Sequence, residues 1–400
     1  MNSISSVYMP RAIFYGNGSF KQLGAETRKL GTSALVISDK IMDNLGYVDE
    51  CKKMLNEEGI TCSTYLGIDS EPTDLFVNEA LEICIQNNCD VIIALGGGSC
   101  IDTGKAVVVL ATNGGDISDF MGNKKMADKK AIPLIAIPTT AGTGSEATDV
   151  TVITNTSNDV KMMIKQPAFL PEVAIVDPTL TLSSPTHITS ATGVDALTHA
   201  IEAYISRRSH PFTDTLALSA IKLIYDNIEE VYKNGNNIEA REKMSLGALK
   251  AGIAFSNASV CLVHGMSRPI GAIFHVPHGV SNAMLLPAIL EYSKSACINR
   301  LADIGQFIKP ELRSYSNEEI ANMVVQEIKK LCINLNIPNM KEWGIEKQEL
   351  DKVVGKMAKD ALASGSPSNN PRIPTEEEII ELYQHCFDYD MSEGMNKSNI

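Results

Sequence analysis

Four hundred residues exceed what one hydrophobic core organises, so two domains are expected and a disulfide-stapled mini-fold is excluded. The 35 basic and 48 acidic side chains leave a formal net charge of -13, which opposes binding to nucleic acid or an anionic membrane by bulk electrostatics. Any anionic ligand must then be caught by local groups.

Met1 to Pro10 has neither a basic n-region nor an apolar h-region, and no apolar run is long enough to span a bilayer, so a soluble, cytoplasmic protein is expected. Nine cysteines (Cys51, Cys62, Cys84, Cys89, Cys100, Cys261, Cys297, Cys332 and Cys386) are scattered without a CxxC pair. That pattern suits buried thiols in a reducing compartment rather than disulfides or a cysteine-bound metal.

Over the first ~180 residues, short runs rich in branched apolar residues alternate with helix-like stretches, the rhythm of a parallel sheet with crossover helices. Strands are predicted at Ala34 to Ser38, Val91 to Leu95, Ile132 to Ile137 and Val173 to Val176. Each ends in a glycine-rich, polar or proline-bearing turn, the side on which open α/β sheets bind ligands. Asp39 follows the first strand, where a carboxylate can accept from ribose hydroxyls and repel a 2′-phosphate, or simply cap a helix. The second strand runs into Gly96-Gly97-Gly98-Ser99, and then Asp102 and Lys105 open a helix. Glycines let backbone approach a ligand, and a helix N-terminus offers free N–H groups to a pyrophosphate. After the third strand, Pro138-Thr139-Thr140-Ala141-Gly142-Thr143-Gly144-Ser145-Glu146 packs hydroxyls among glycines, suited to ribose and phosphate oxygens or to a capped helix start.

After Pro185 the strand signal fades and a 3.6-residue period takes over, as in Ala191 to Ile205, Asp214 to Tyr232 and Asn317 to Leu331. Thr375 and Glu378 read as a capping box opening a last helix through Cys386, and the polar tail beyond Tyr389 is expected to be loose. Asp195 and His199 are four apart on one helix face. The segment from Val263 to Gly279 holds three of the seven histidines, and Pro269 and Pro277 are expected to interrupt any single helix there. His264 and His278 would then reach inward from separate elements. A single histidine on an apolar face is more often a hydrogen-bonded core residue, but three imidazoles and a carboxylate together suit Fe²⁺ or Zn²⁺. His187, His210 and His385 have no comparable setting and read as structural.

These segments resemble the iron-containing (group III) alcohol dehydrogenase family, with its relatives glycerol dehydrogenase and dehydroquinate synthase. The resemblance is carried by GGGSCIDTGKA (96–106), PTTAGTGSE (138–146), PEVAIVDP (171–178), GVDALTHAIEAY (193–204), AFSNASVCLVHGM (254–266) and HVPHG (275–279). It implies a dehydroquinate synthase-like fold, with an α/β N-terminal dinucleotide-binding domain, an all-α C-terminal metal-binding domain and a metal at the cleft between them; the change of period near 180–188 sets the domains at 1–183 and 184–400. It places the metal on Asp195, His199, His264 and His278, and the pyrophosphate on Gly97, Gly98 and Ser99 with Asp102 nearby. Thr139, Thr140, Thr143 and Ser145 would line the cofactor, Lys161 would lie near the nicotinamide ribose, Leu180 would flank the adenine and Phe255 would line the substrate pocket. Dimers or larger homo-oligomers are the expected assembly.

The activity these readings imply is hydride transfer between NAD(H) and a small alcohol or aldehyde, with Fe²⁺, or Zn²⁺, polarising the substrate oxygen. NAD(H) is expected over NADP(H) because of Asp39. Many relatives carry a second histidine where this chain has Arg268, so a proton route would fall to His275 instead. Arg268 reads either as an internal ion pair to Glu202 or as the anchor of a short anionic semialdehyde. Two remoter readings remain. A dehydroquinate-synthase-like lyase would need several basic groups where 254–279 offers only Arg268, and a non-catalytic binding protein would hold its metal closed to substrate.

Overall fold

A computed structural model describes residues 4–158 and 160–392. The chain divides into two compact units, Met1–Ser184 and Pro185–Ile400. Ser184, which the change of period puts in the second domain, ends the first unit, where its hydroxyl donates to the Thr139 carbonyl at 3.3 Å.

In the first unit, strands β1 (Ala12–Tyr15), β2 (Ser33–Asp39), β3 (Thr61–Ile68), β4 (Val91–Gly96), β5 (Leu134–Pro138) and β8 (Val173–Val176) form one sheet in the order β1-β8-β5-β4-β2-β3. Every neighbouring pair is parallel. A parallel sheet must be covered on both faces, and alternation along each strand divides its side chains between two cores. Leu35, Ile37, Ile92 and Ala94 pack against α4 (Asp74–Gln86) and α5 (Gly98–Asn113). Val36, Val91, Ile93 and Ile135 pack against α1 (Leu23–Arg28) and α3 (Tyr47–Glu57), while the short α2 (Lys40–Asn44) follows β2 directly.

Three features depart from the sequence expectation. The third predicted strand starts at Leu134 rather than Ile132, because Pro133 has no N–H for the ladder. The outer strands β1 and β3 lack a fully apolar run, being partly exposed at the sheet edges. Strands β6 (Val150–Asn155) and β7 (Val160–Lys165) form a separate antiparallel hairpin.

The second unit is helical throughout its described residues: α6 (Thr186–Ile205), α7 (Pro211–Lys233), α8 (Ile238–Ala258), α9 (Leu262–Phe274), α10 (His278–Ser293), α11 (Ile298–Ile308), α12 (Asn317–Asn334), α13 (Met340–Trp343), α14 (Lys347–Ala363) and α15 (Glu376–Cys386), with short 3₁₀ turns between. Helix α6 is buried around almost its whole circumference, its polar Asp195, His199 and Glu202 included. Gly193 is required there, since a Cβ would stand 2.8 Å from Ile228 Cδ1 and 3.0 Å from Met244 Cε. Pro269 does not interrupt the chain as expected: it lies inside α9, opposite the carbonyl of Gly265, and only Pro277, capping α10, marks a break. The capping box at Thr375 and Glu378 is present, with both reciprocal bonds made. Of the tail expected to be loose, residues 393–400 lie outside the described residues. All nine cysteines are free, and among the described residues no single helix is long and apolar enough to cross a membrane.

Candidate functional site

Within the helical unit, three helices bring four potential ligands together. Asp195 and His199 sit one turn apart on α6, His264 lies in the first turn of α9, and His278 opens α10. One ligand atom from each falls within 4.8 Å of all the others. Asp195 Oδ1 is the hub, 3.5 Å from His264 Nε2, 3.9 Å from His199 Nδ1 and 4.0 Å from His278 Nε2. Two donors about 2.1 Å from one tetrahedral ion stand about 3.4 Å apart, so these separations fit donors sharing one ion better than donors bonded to each other. His264 Nε2 is fully buried and makes no hydrogen bond, a costly arrangement for a polar atom unless a ligand completes it. The residues present therefore fit a divalent ion. Three of the four side chains are at most 5% exposed, whereas His278 is 34% exposed, which leaves the group open on one side.

The neighbours orient these ligands. Asn282, one turn after His278, donates its amide to Asp195 Oδ1 at 2.7 Å and lies 3.1 Å from His278 Nε2. Glu202 accepts from His264 Nδ1 at 2.7 Å. Phe255 on α8 stacks on the His199 ring, centroids 4.1 Å apart, and His199 in turn stacks on His264 at 4.3 Å. Burial raises Asp195, but the surrounding His199, His278 and His264 outweigh it and hold the carboxyl well below its ordinary range. Burial disfavours charge on His264, and the carboxylates of Glu202 and Asp195 more than offset this.

In the α/β unit, β4 ends at Gly96 with φ 152° and α5 begins at Gly98, its first turn capped by no side chain. A Cβ on Gly98 would stand 2.8 Å from Thr143 Cγ2, so glycine permits the two predicted loops to touch. Thr139 N donates to the Gly96 carbonyl at 3.0 Å, and Thr140 borders Gly97. Asp102 binds protein on both oxygens, accepting from Ser145 Oγ at 2.5 Å and Val152 N at 2.8 Å; burial pushes its carboxyl up. Ser99 accepts from Thr103 through its carbonyl, and Ser145 N contacts Thr143 Oγ1 at 3.3 Å. Asp39 caps α2 with Oδ1, bonded to Ile41 N and Met42 N, and its Oδ2 faces the Cys100 thiol at 3.7 Å. Lys161 on β7 pairs with Glu71 at 2.5 Å, and Leu180 is buried in the α1/α3 core.

Arg268, one turn after His264, is buried and donates to Ser366 Oγ at 3.0 Å. Burial lowers its guanidinium to about 10, with the charge of Glu202 opposing. His275 is exposed and left-handed (φ 54°) at the end of α9 and is not one of the four clustered residues.

A family model described as iron-containing alcohol dehydrogenase matches residues 10–178, and a model of the Fe-containing alcohol dehydrogenase family's C-terminal part matches residues 189–387. This chain belongs to the iron-containing alcohol dehydrogenase family. It is 37% identical over 383 residues to 1,3-propanediol dehydrogenase of Citrobacter freundii, covering 95% of this chain and 98% of that one. It is 33% identical over 385 residues to the NAD-dependent methanol dehydrogenase of Bacillus methanolicus, covering 96% and 100%. The crystal structure of a 1,3-propanediol oxidoreductase superposes with a TM-score of 0.92 at 35% identity, covering 96% of this chain and all of that one. In this family member, sequence reasoning missed Asn282 and did not foresee that Glu202 also accepts from Cys261, Val263 and His264. Asn282, four residues after His278, could have been found from the same i,i+4 spacing that paired Asp195 with His199.

Proposed function

We propose that this alcohol dehydrogenase transfers hydride between NAD(H) and a small alcohol or aldehyde at a centre holding Fe²⁺, or Zn²⁺, on Asp195, His199, His264 and His278. The observation that carries the reading is the convergence of these four donors with a buried, unbonded His264 Nε2. A divalent ion supplies Lewis-acid polarisation of a substrate oxygen, and a nicotinamide supplies the hydride chemistry. The chain's own residues do the rest. Asn282 fixes the Asp195 carboxylate, Phe255 holds the His199 ring by stacking and presents an apolar wall, and the more exposed His278 leaves a side for substrate to enter. In the α/β unit, the free N–H groups of the first turn of α5 suit a pyrophosphate at Gly97, Gly98 and Ser99, beside the hydroxyls of Thr139, Thr140 and Thr143. Asp102 and Ser145 act by binding each other, which ties α5 to the threonine loop. Lys161 and Leu180 belong to the proposal as the resemblance assigned them, and His275 as the proton route to solvent in place of the histidine that Arg268 replaces. Preference for NAD(H) is supported by Asp39 at the end of β2 and by the NAD-dependent relative. A cytoplasmic location is supported by nine free thiols, and the proposed homodimer is checked by light scattering.

The test is an anaerobic panel of alcohols and aldehydes with NAD(H) and NADP(H), on protein reconstituted separately with Fe²⁺ and Zn²⁺. Metal-dependent turnover of short alcohols with NAD⁺ is expected. Equal turnover by metal-free protein would overturn the reading.

A further inference from the structure

We propose that Glu202 is the positioning residue of the metal centre, its carboxylate keeping a proton on His264 Nδ1 and so turning the Nε2 lone pair toward the ion. The inference rests on the metal-site reading above. Asp195, His199 and Glu202 are spaced four and three apart on α6, so one helix face carries two ligands and this carboxylate. Glu202 is 1% exposed and belongs to no ligand set, yet three donors converge on it. Oε1 accepts from Val263 N at 2.7 Å, and Oε2 accepts from Cys261 N at 2.9 Å and from His264 Nδ1 at 2.7 Å.

Backbone N–H groups can only donate, so two of these bonds require an acceptor at each oxygen. An oxygen accepting from Cys261 N offers His264 Nδ1 another lone pair, which puts the imidazole proton on Nδ1. Nε2 is then left as a lone pair, and it is the buried atom that makes no hydrogen bond and lies 3.5 Å from Asp195 Oδ1. The same carboxylate caps α9, whose first N–H groups have no intrahelical partner, so the start of the helix and the tautomer of its ligand are fixed together. A neutral amide cannot do both. With its oxygen toward His264, Gln leaves Val263 N–H facing another donor and removes the charge; turned round, it donates to Nδ1 and drives the proton onto Nε2.

Full-length Glu202→Gln is compared with wild type and His264→Ala by Co²⁺ titration of apo-protein against a chelator, read from the Co²⁺ d–d absorption, with far-UV circular dichroism to follow the fold. Wild type should bind one Co²⁺, His264→Ala should bind far more weakly, and Glu202→Gln should lose roughly 10- to 100-fold in affinity with its circular dichroism unchanged. Equal affinity in Glu202→Gln and wild type, with His264→Ala impaired, overturns the role of Glu202 and leaves the metal centre standing. Wild type and His264→Ala binding alike overturns the centre itself, and this inference with it. Should Glu202→Gln fail to fold, ¹⁵N histidine spectra of Cd²⁺-loaded wild type decide, with His264→Ala for assignment. A proton on His264 Nδ1 with the metal on Nε2 supports the proposal, and the reverse arrangement overturns it.

Discussion

Lys105 gives the α/β unit a pH-dependent stability that one substitution should abolish. The side chain is 0% exposed on α5, with Nζ donating to Thr148 Oγ1 at 2.8 Å and the Val150 carbonyl at 2.7 Å, and 3.9 Å from Asp102 Oδ1. Burial strips water from the ammonium and lowers Lys105 from its ordinary 10.5 to about 8; Asp102, Asp149 and Glu146 offset only part of this. Between pH 8 and 10.5 the unfolded chain holds a proton that the folded chain has released, so stability rises with pH across that window. The penalty is complete below the folded value and gone above the unfolded one. At 1.36 kcal/mol for each pH unit, its full span is worth roughly 3 kcal/mol. Met has a similar length and no charge, so Lys105→Met should lack this rise. Urea unfolding of both proteins from pH 7 to 10.5, followed by circular dichroism, should show wild type gaining on the variant by roughly 3 kcal/mol. Parallel profiles would refute the reasoning.

Two further predictions follow from the placement of single residues. Wild type should favour NAD(H) over NADP(H) in kcat/KM, and Asp39→Gly should relax the preference while costing only a few tenths of a kcal/mol as a helix cap. Equal wild-type values for the two cofactors would show that Asp39 does not face the ribose. Arg268→Leu, compared on a neutral aldehyde and an anionic one of similar length, should lose activity equally on both, because the guanidinium is bonded to Ser366 within the protein. A selective loss of about 2 to 4 kcal/mol in transition-state binding for the anion would instead make Arg268 the anchor of a substrate charge.

The parts of the molecule legible in the sequence are those governed by local pattern. The buried strands of Val91–Gly96 and Val173–Val176 announce themselves as unbroken apolar runs, and α6 carries two ligands at helical spacing. The hairpin of β6 and β7 is signalled only by the β-branched run from Val150 to Thr154 and the polar turn after Asn155. Pro269 lies within a helix against its propensity because propensity speaks for an isolated helix, while α9 is buried along most of its length, where packing holds a helix that proline weakens. The bonds from α9 to Glu202 are not legible in the sequence for another reason. Spacing on α6 shows which residues share its face, but only the docking of α9 brings Cys261, Val263 and His264 onto that carboxylate.

On the proposed reading, Asp195, His199, His264 and His278 hold one divalent ion on which turnover depends. Its most direct test is the metal content per chain of wild type, His264→Ala and His278→Ala after anaerobic reconstitution with Fe²⁺ and desalting, read alongside turnover. About one ion per wild-type chain is expected, with a loss of both metal and turnover in each variant. Full occupancy with wild-type rates in both variants would contradict it.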